Sequence, residues 1–299
     1  MKRFPDGARV CFVGDSITAT FEHEARVAAF YKENFPQAKV QIFNCGTAGG
    51  TAAFALDCLK EDTLIHNPTH AVIMLGVNDS GRWLLGTEKN EKRYSDLVNQ
   101  YEKYKKKLVT LCDALENEGV DITLCTPAPY AEYQETSEPA LKGGYALMLG
   151  YAQFCEQLAK ERSYKLCDYH GYLTKILQTT DIYRDDHVHP TELGQYYMAK
   201  CFLESQGLEI GEFAPIPDYL SELRETTMIL RNIRAVELMV IRDFFLSDEE
   251  KIKIVQEYVY ENRAPTDYFR NITRIFLEKF KDSHEIIEKT QKLTKDLMG

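Results

Sequence analysis

Five short apolar runs alternate with longer segments of helical periodicity along the first two thirds of the chain. The runs span residues 10–14, 40–45, 71–76, 122–126 and, more weakly, 164–168. Near-continuous apolar runs of this length are typical of parallel strands that are covered on both faces, because neither face of such a strand meets water. The pattern therefore predicts a five-stranded parallel sheet.

The segments between the apolar runs have the periodicity and the end signals of helices. They cover residues 21–35, 52–65, 95–118, 146–162 and 191–205, and Ser95 is the predicted N-cap of the third. Strands and helices in alternation form βαβ units with right-handed crossovers. We therefore predict an α/β fold for residues 1–209, a flavodoxin-like three-layer α/β/α sandwich.

The pattern changes after residue 209. A proline-bearing connector at residues 212–217 precedes a region that has no strand pattern. Helices are predicted over residues 219–245, over 247–262 after a capping box, and from 264 almost to 299. The second predicted domain is thus an all-α extension of residues 210–299. Its apolar faces are expected to pack on the sheet domain or on a second copy of the chain, rather than to form a lid, a membrane-surface helix or a partner-binding module.

Composition and charge exclude several classes of protein. No apolar run approaches the roughly 20 residues that span a bilayer. The formal net charge of -10 argues against nucleic-acid binding, because phosphate contacts need an excess of Lys and Arg. The first residues lack the apolar core of a signal peptide, and the 8 cysteines form no C-x-x-C pair. A cytoplasmic protein with free buried thiols is therefore expected.

Polar, glycine-bearing segments follow the first three predicted strands and precede the last helix of the sheet domain. They are residues 14–18, 44–51, 76–79 and 186–190. Because ligands and catalytic groups gather outside the carboxyl ends of parallel strands, we expect these segments to meet at one edge of the sheet.

The residue types in these segments suit acyl transfer. Ser16 is a nucleophile once a base removes its proton, and His189 is the candidate base, since imidazole has a reference pKa of about 6.5. Asp186 lies three residues earlier, where its carboxylate can accept the other ring N–H and fix the tautomer. Donors to the oxyanion are expected from the N–H groups of Ser16 and Gly46 and from the side-chain amide of Asn78.

Each segment also has a simpler explanation when it is taken alone. Residues 14–16 form an ordinary strand-to-helix turn, residues 78–79 an Asx-turn, and residues 189–190 a helix start. The alternative to catalysis at the last segment is a metal site with four neighbouring ligands: Asp185, Asp186, His187 and His189. We favour catalysis, because no distant ligand is clearly placed to complete a metal site.

Other candidate residues are less informative. Residues 130–145 and Trp83 either border the substrate pocket or form a solvated loop and a packing tryptophan. The remaining histidines are expected at helix ends, in loops or at the surface; they are His23, His66, His70, His170 and His284.

The four polar segments resemble the signature blocks of the SGNH hydrolases, also called GDSL-type esterases and lipases. Gly14-Asp15-Ser16-Ile17 resembles the first block, with Ile17 where the family name has Leu, and residues 44–51, 76–79 and 186–190 resemble the other three. The resemblance covers about residues 8–207. It implies a nucleophile at Ser16, oxyanion donors at Ser16, Gly46 and Asn78, and an Asp–His pair at Asp186 and His189. It also implies ester hydrolysis without a metal or an organic cofactor.

The sequence thus predicts a serine esterase that cleaves a carboxylic ester through an acyl-enzyme. Acetyl or another short acyl group, for example on a carbohydrate, is favoured over a long lipid chain, because no long apolar groove is evident. The alternatives are a lysophospholipase-like or thioesterase-like acyl hydrolase, a non-catalytic scaffold, and a nucleotide binder that uses residues 14–18. The expected partner is a small-molecule ester, with no nucleic acid and no membrane span. Homo-oligomers through the C-terminal helices are a further expectation.

Overall fold

One parallel sheet forms the centre of the molecule. The computed structural model describes residues 2–261 and 266–298. Its five strands pair in the order β2-β1-β3-β4-β5, and every pair is parallel. The strands are β1 (Arg9–Gly14), β2 (Gln41–Gly46), β3 (His70–Met74), β4 (Asp121–Cys125) and β5 (Lys165–Cys167). The predicted five-stranded parallel sheet is confirmed, and its strands are apolar because helices cover both faces.

Helices form the two outer layers of the sandwich. Those of the first 205 residues are α1 (Ser16–Ala19), α2 (His23–Asn34), α3 (Ala52–Asp57), α4 (Glu91–Asn117), α5 (Gly144–Arg162), α6 (Tyr169–Ile176) and α7 (Glu192–Ser205). Helix α7 packs on α2 and α6, and α3 packs on α4. The three-layer α/β/α prediction is thus confirmed.

Three details of these helices differ from the prediction. Helix α4 begins one turn before Ser95, because the Asn90 side chain accepts a hydrogen bond from the Arg93 N–H at 3.0 Å and caps the helix there. The segment predicted as a helix over residues 52–65 keeps α-helical geometry only to Asp57, then continues as a π turn and a 3-10 turn. The pattern did not predict α6, which is only 8 residues long.

The C-terminal region is helical, as predicted, with different boundaries. It contains α8 (Ser221–Val236), α9 (Asp248–Tyr260), α10 (Asp267–Lys279) and α11 (Ser283–Met298). The single helix predicted over residues 219–245 is wrong, because a π turn (Glu237–Ile241) follows α8 and ends at Arg242, whose φ of 63° is left-handed. The capping box at Ser247 is confirmed. A 3-10 turn (Phe280–Asp282) divides the third predicted helix into two. Residue 262, the predicted end of the second helix, and residues 264 and 265, the predicted start of the third, lie outside the described residues.

The C-terminal helices pack on the edge of the sheet. Strand β2 is an edge strand, and both α8 and α11 contact it. A second apolar cluster joins Phe21, two residues before α2, and Ala25 of α2 to Leu220 and Leu223 of the extension. The extension therefore covers an edge that would otherwise expose unpaired backbone groups. The division of the chain into domains at residues 209 and 210 stays a prediction.

A buried ion-pair network holds the extension in place. Asp62 is 4% exposed, and Arg231 of α8 donates to its two oxygens at 2.7 and 2.8 Å. Arg234 donates to the same carboxylate at 3.1 Å and to Glu237 at 2.6 Å. Lys251 of α9 also donates to Glu237, at 2.8 Å. Burial would raise the pKa of Asp62, but the charges of Arg231 and Arg234 hold it well below its usual value.

Two of the predictions about single residues can be compared with the structure. All eight cysteines are free and buried, as expected. His23, His66 and His170 lie at the ends of helical segments, as expected. The expectation is wrong for His70, which is the first residue of strand β3, and all four of these histidines are buried. None of the helices in the described ranges is long and apolar enough to cross a bilayer.

Replacement of Asp62 by Asn is expected to destabilise the fold strongly. The change leaves two buried guanidinium groups without their shared counter-charge, and breaking a buried ion pair typically costs about 3–5 kcal/mol. Urea unfolding of the variant and the wild type, followed by circular dichroism, measures the difference. The control is Glu278→Gln, which removes a solvent-exposed pair with Arg274 in the same extension. That pair should contribute less than about 1 kcal/mol. Equal losses in the two variants would contradict the assignment of Asp62 as the anchor.

Candidate active site

Ser16 lies just after the inner strand β1. Its neighbours β2 and β3 lie on either side of β1, so the segments that follow all three strands meet at one end of the sheet. Asp15 caps α1 by accepting a hydrogen bond from the Ile17 N–H at 2.9 Å, and Ser16 is the first residue of that helix. A Cβ atom on Gly14 would lie 2.1 Å from Thr18 Oγ1, so the tight turn before Ser16 requires glycine.

The structure brings Ser16, His189 and Asp186 together, although 173 residues separate the first two. Ser16 Oγ lies 2.7 Å from His189 Nε2, and His189 Nδ1 lies 2.5 Å from Asp186 Oδ2. The other oxygen of Asp186 accepts hydrogen bonds from the backbone N–H groups of Val188 and His189, at 3.0 and 2.9 Å. The turn before α7 therefore holds the carboxylate and the imidazole in one orientation.

The environment of Asp186 keeps its carboxylate ionised. Burial raises the pKa of Asp186, but the hydrogen bonds from the backbone and ring of His189 and from Val188 more than offset this and lower the pKa below its usual value. An ionised carboxylate in this position accepts the Nδ1 proton of His189, so that the unprotonated Nε2 faces Ser16 Oγ.

His187, a candidate for the alternative metal site, has a structural role instead. Its backbone φ of 61° is left-handed, and its buried ring lies against residues 131–138. Nδ1 lies 2.9 Å from the Ala131 carbonyl oxygen, and Nε2 lies 2.8 Å from that of Glu138. Within residues 2–261 and 266–298, no three His, Cys, Asp or Glu side chains are placed to hold a metal ion together.

The amide of Gly46 does not match the predicted oxyanion role. Gly46 is buried, and its N–H donates to the side-chain oxygen of Asn44 at 3.0 Å. Gly49, three residues later in the loop that follows β2, is partly exposed and lines the cavity beside Ser16. Its φ is +79°, a conformation that favours glycine. The prediction for Gly46 is therefore corrected, and Gly49 is the loop residue that faces the site.

Asn78 lies in the segment that follows strand β3. Since β1 lies between β2 and β3, this segment approaches the site from the other side of β1 than the loop that follows β2. Its side-chain Nδ2 donates to the Gly50 carbonyl oxygen at 3.0 Å, which ties the third polar segment to the second. An amide nitrogen carries two N–H groups, so one donor of Asn78 remains for a ligand. Asn78 and Gly49 line the same cavity as Ser16 and His189, as a shared oxyanion site requires.

Two buried carboxyl groups support these segments and were not singled out from the sequence. Asp79 accepts a hydrogen bond from the Ala52 N–H at 3.0 Å, and burial raises its pKa to about 7. Burial likewise raises the pKa of Asp15 to about 6. One oxygen of each carboxyl group has no hydrogen-bond partner among the described residues. The position of Asp79 directly after Asn78 was the only signal in the sequence.

A cavity of about 390 Å³ opens beside Ser16. The sheet-bearing region contributes Ser16, Ala19, Thr20, Ala48, Gly49, Asn78, Arg82, Arg184 and His189 to its lining. The C-terminal extension contributes Met228, Arg231, Asn232, Met239 and Tyr268. Residues 130–145 and Trp83 were expected either to border the pocket or to be structural. Among the described residues, neither belongs to the lining of this cavity, and the Trp83 side chain is 56% exposed.

Comparison with known sequences identifies relatives over most of the chain. The family model described as GDSL-like Lipase/Acylhydrolase matches residues 10–202. An acetylxylan esterase from Geobacillus stearothermophilus is 28% identical over 223 residues, which cover 68% of this chain and 95% of that protein. The family match ends before the C-terminal helices begin.

Solved structures share the fold. A catalytic mutant of the acetylxylan esterase from Geobacillus stearothermophilus superposes with a TM-score of 0.59 at 23% identity, over 72% of this chain and all of that one. A gut microbial diltiazem-metabolizing enzyme superposes with a TM-score of 0.72 at 14% identity, over 99% of this chain and 97% of that one. The architecture that includes the C-terminal helices therefore also occurs in another protein.

The raised pKa of Asp79 predicts a specific dependence of stability on pH. An unfolded Asp has a pKa of about 3.9, below the value of about 7 in the folded protein, so the folded state binds the proton more tightly. The stabilising contribution is complete below about pH 4 and is lost as the pH rises through about 7. Relative to Asp79→Asn, the wild type should lose a few kcal/mol of unfolding free energy over this range, at about 1.4 kcal/mol per unit of pKa shift.

Urea unfolding of both proteins between pH 4 and pH 8 measures this difference. The control is Asp181→Asn, at an exposed position, whose difference from the wild type should stay nearly constant with pH. A constant difference for Asp79→Asn as well would show that Asp79 titrates normally.

Proposed function

The chain belongs to the family of GDSL-like lipases and acylhydrolases and is an ester-hydrolysing serine hydrolase, and from this premise we propose that Ser16 forms the acyl-enzyme. The observation that carries the proposal is the hydrogen-bonded chain from Ser16 Oγ to His189 Nε2, at 2.7 Å, and from His189 Nδ1 to Asp186, at 2.5 Å. Such a chain activates a serine hydroxyl, which is otherwise a weak nucleophile.

In the first half of the reaction, Ser16 Oγ attacks the carbonyl carbon of the ester and its proton passes to His189 Nε2. The carbonyl oxygen becomes an oxyanion that accepts hydrogen bonds from the N–H groups of Ser16 and Gly49 and from the Asn78 side chain. When the tetrahedral intermediate collapses, the bond to the alcohol oxygen breaks and His189 donates its proton to that oxygen.

In the second half, water replaces the alcohol. His189 accepts a proton from the water, the resulting hydroxide attacks the acyl carbon, and the bond to Ser16 Oγ breaks as the proton returns to that oxygen. Asp186 stays ionised throughout, holds the imidazole in the correct tautomer and stabilises the imidazolium that forms twice in each cycle.

Acetyl or another short acyl group is the proposed acyl part, and a carbohydrate the proposed alcohol. The similarity to an acetylxylan esterase supports both choices. A cavity of about 390 Å³ that is lined on one side by the C-terminal helices also suits a short acyl group better than the long chain of a lysophospholipid. The intact hydrogen-bonded chain at Ser16 argues against a non-catalytic scaffold.

Location and assembly complete the proposal. Eight buried, unpaired cysteines suit a reducing compartment such as the cytoplasm. Self-association, where it occurs, is proposed to use the C-terminal helices, whose outer faces carry exposed apolar side chains such as Val259 and Leu277.

Replacement of Ser16 by Ala is expected to lower kcat for p-nitrophenyl acetate by on the order of a thousandfold or more, because the nucleophile is lost. Circular dichroism should show an unchanged fold. A fluorescent phosphonate probe should label the wild type and not the variant. The control is Ser205→Ala, at a position in α7 outside the cavity, which should keep both the labelling and the activity. Undiminished turnover in Ser16→Ala would refute Ser16 as the nucleophile.

Replacement of Asp186 by Asn should lower kcat by on the order of 10³–10⁴, because His189 loses the group that fixes its tautomer. The matched control is Asp185→Asn, which changes the exposed neighbouring carboxylate and should keep near-wild-type kcat.

In the wild type, kcat/KM should fall as the pH is lowered, since a protonated His189 cannot accept the Ser16 proton. A rate that is independent of pH down to strongly acidic conditions would count against His189 as the base.

A further inference from the structure

The C-terminal extension forms one wall of the cavity beside Ser16. Met228 and Asn232 project from α8, Met239 lies in the π turn that follows it, and Tyr268 lies in α10. All four residues lie beyond residue 202, where the match to the family model ends. The wall is therefore a feature of this chain that membership of the family does not explain.

Met239 is the residue of the cavity wall that packs against Gly49. A Cβ atom placed on Gly49 would lie 3.1 Å from Met239 Cε and 3.5 Å from Leu238 Cδ2, so both side chains pack directly over that glycine. Ala48, which precedes Gly49, and Met239 pack against the same buried apolar cluster of the extension, which includes Val236 and Ile241. Gly49 and Met239 line the same cavity, so a substrate whose carbonyl oxygen reaches the Gly49 N–H shares that cavity with the Met239 side chain.

The position of Met239 is fixed by charged groups around its turn. Glu237, at the start of that turn, is 1% exposed and binds both Arg234 and Lys251. Arg231, six residues before Glu237, donates to the Gly46 carbonyl oxygen at 3.2 Å and so joins the extension to the end of β2, from which the loop with Gly49 starts. The distance between the methionine and the loop is thus set by several contacts rather than by one flexible side chain.

The chemistry of ester cleavage places the two halves of the substrate in different parts of the cavity. The alcohol oxygen must lie near His189 Nε2, from which it receives its proton. The acyl chain branches from the same carbon as the carbonyl oxygen, so it begins close to Gly49. The apolar side chains of the lining are Ala19, Ala48, Met228 and Met239, and an acyl chain is the apolar part of an ester substrate.

We propose that Met239, together with Met228, limits the length of the acyl group that the enzyme accepts. The extension thereby supplies specificity-determining residues to a reaction whose catalytic groups lie in the sheet-bearing region. This inference rests on the proposed role of Ser16 and adds to it the identity of the residues that select the acyl group.

Chain-length profiles test the inference. The ratio of kcat/KM for p-nitrophenyl hexanoate to that for p-nitrophenyl acetate is measured for the wild type, Met239→Ala and Met228→Ala. Removal of the thioether should open the acyl side and raise the ratio about tenfold or more, since one methylene in an apolar pocket changes kcat/KM by about 10–200-fold. Met239→Phe should lower the ratio. The control is Leu277→Ala, an apolar truncation in α10 outside the cavity, which should leave the ratio unchanged.

The outcomes separate this inference from the proposed function. An unchanged ratio in folded Met239→Ala and Met228→Ala, with acetate hydrolysis still abolished by Ser16→Ala, overturns the inference alone. Undiminished acetate hydrolysis in Ser16→Ala overturns the proposed function. Should Met239→Ala fail to fold, Met228→Ala and the bulkier Met239→Phe decide, because the inference requires them to shift the ratio in opposite directions.

Discussion

The ionised carboxylate of Asp62 is the group on which the arrangement of the molecule depends. A buried carboxylate is stable only when it is paired and hydrogen-bonded, and Arg231 and Arg234 of α8 supply both its counter-charge and its donors. The sheet-bearing region therefore requires the extension to satisfy one of its own buried charges. Since Arg231 also donates to the Gly46 carbonyl oxygen, the same guanidinium joins the end of β2 to the helix that covers it. The loop that presents Gly49 starts from this fixed point.

The other half of the site depends on strand order and on one local turn. With β1 between β2 and β3, the chain leaves the sheet three times at the same end, and Ser16, Gly49 and Asn78 follow these exits. Asp186 and His189 need no sheet for their mutual geometry, because the carboxylate accepts both backbone N–H groups of the turn that carries the imidazole. The rest of the fold therefore has only to place this preformed pair beside Ser16, and the long-range contact that does so is the one between His189 Nε2 and Ser16 Oγ.

The sequence pattern predicted the features that depend on neighbouring residues, such as the strands. It missed the features that depend on contacts between residues far apart in the chain. The five apolar runs correspond to the five strands, because burial on both faces leaves a signal in every residue of a strand. Gly46 and Gly49 could not be distinguished in this way: both are glycines of one polar segment, but Gly46 ends strand β2 and its N–H is bound by the Asn44 side chain, whereas Gly49 lies in the loop that follows. The burial of His23 likewise depends on Gln195, 172 residues away, whose side chain lies 2.7 Å from the ring. The π turn that follows α8 begins at Glu237, whose partner Lys251 belongs to the next helix, and the apolar pattern carries no signal for this pair.

The proposed catalytic groups and the proposed selectivity residues have different structural origins in this chain. The hydroxyl, imidazole, carboxylate and oxyanion donors proposed for catalysis all come from residues 16–189, within the region that the family shares. The apolar wall over Gly49 comes from residues beyond that region, and buried ion pairs hold it in place. Membership of the family therefore indicates which bond is broken, because that depends on groups that the match covers. Which ester fits depends on the volume left between the loop after β2 and the helices that follow residue 220. Two proteins with the same catalytic groups can accordingly accept different esters when a different segment covers the edge of the sheet.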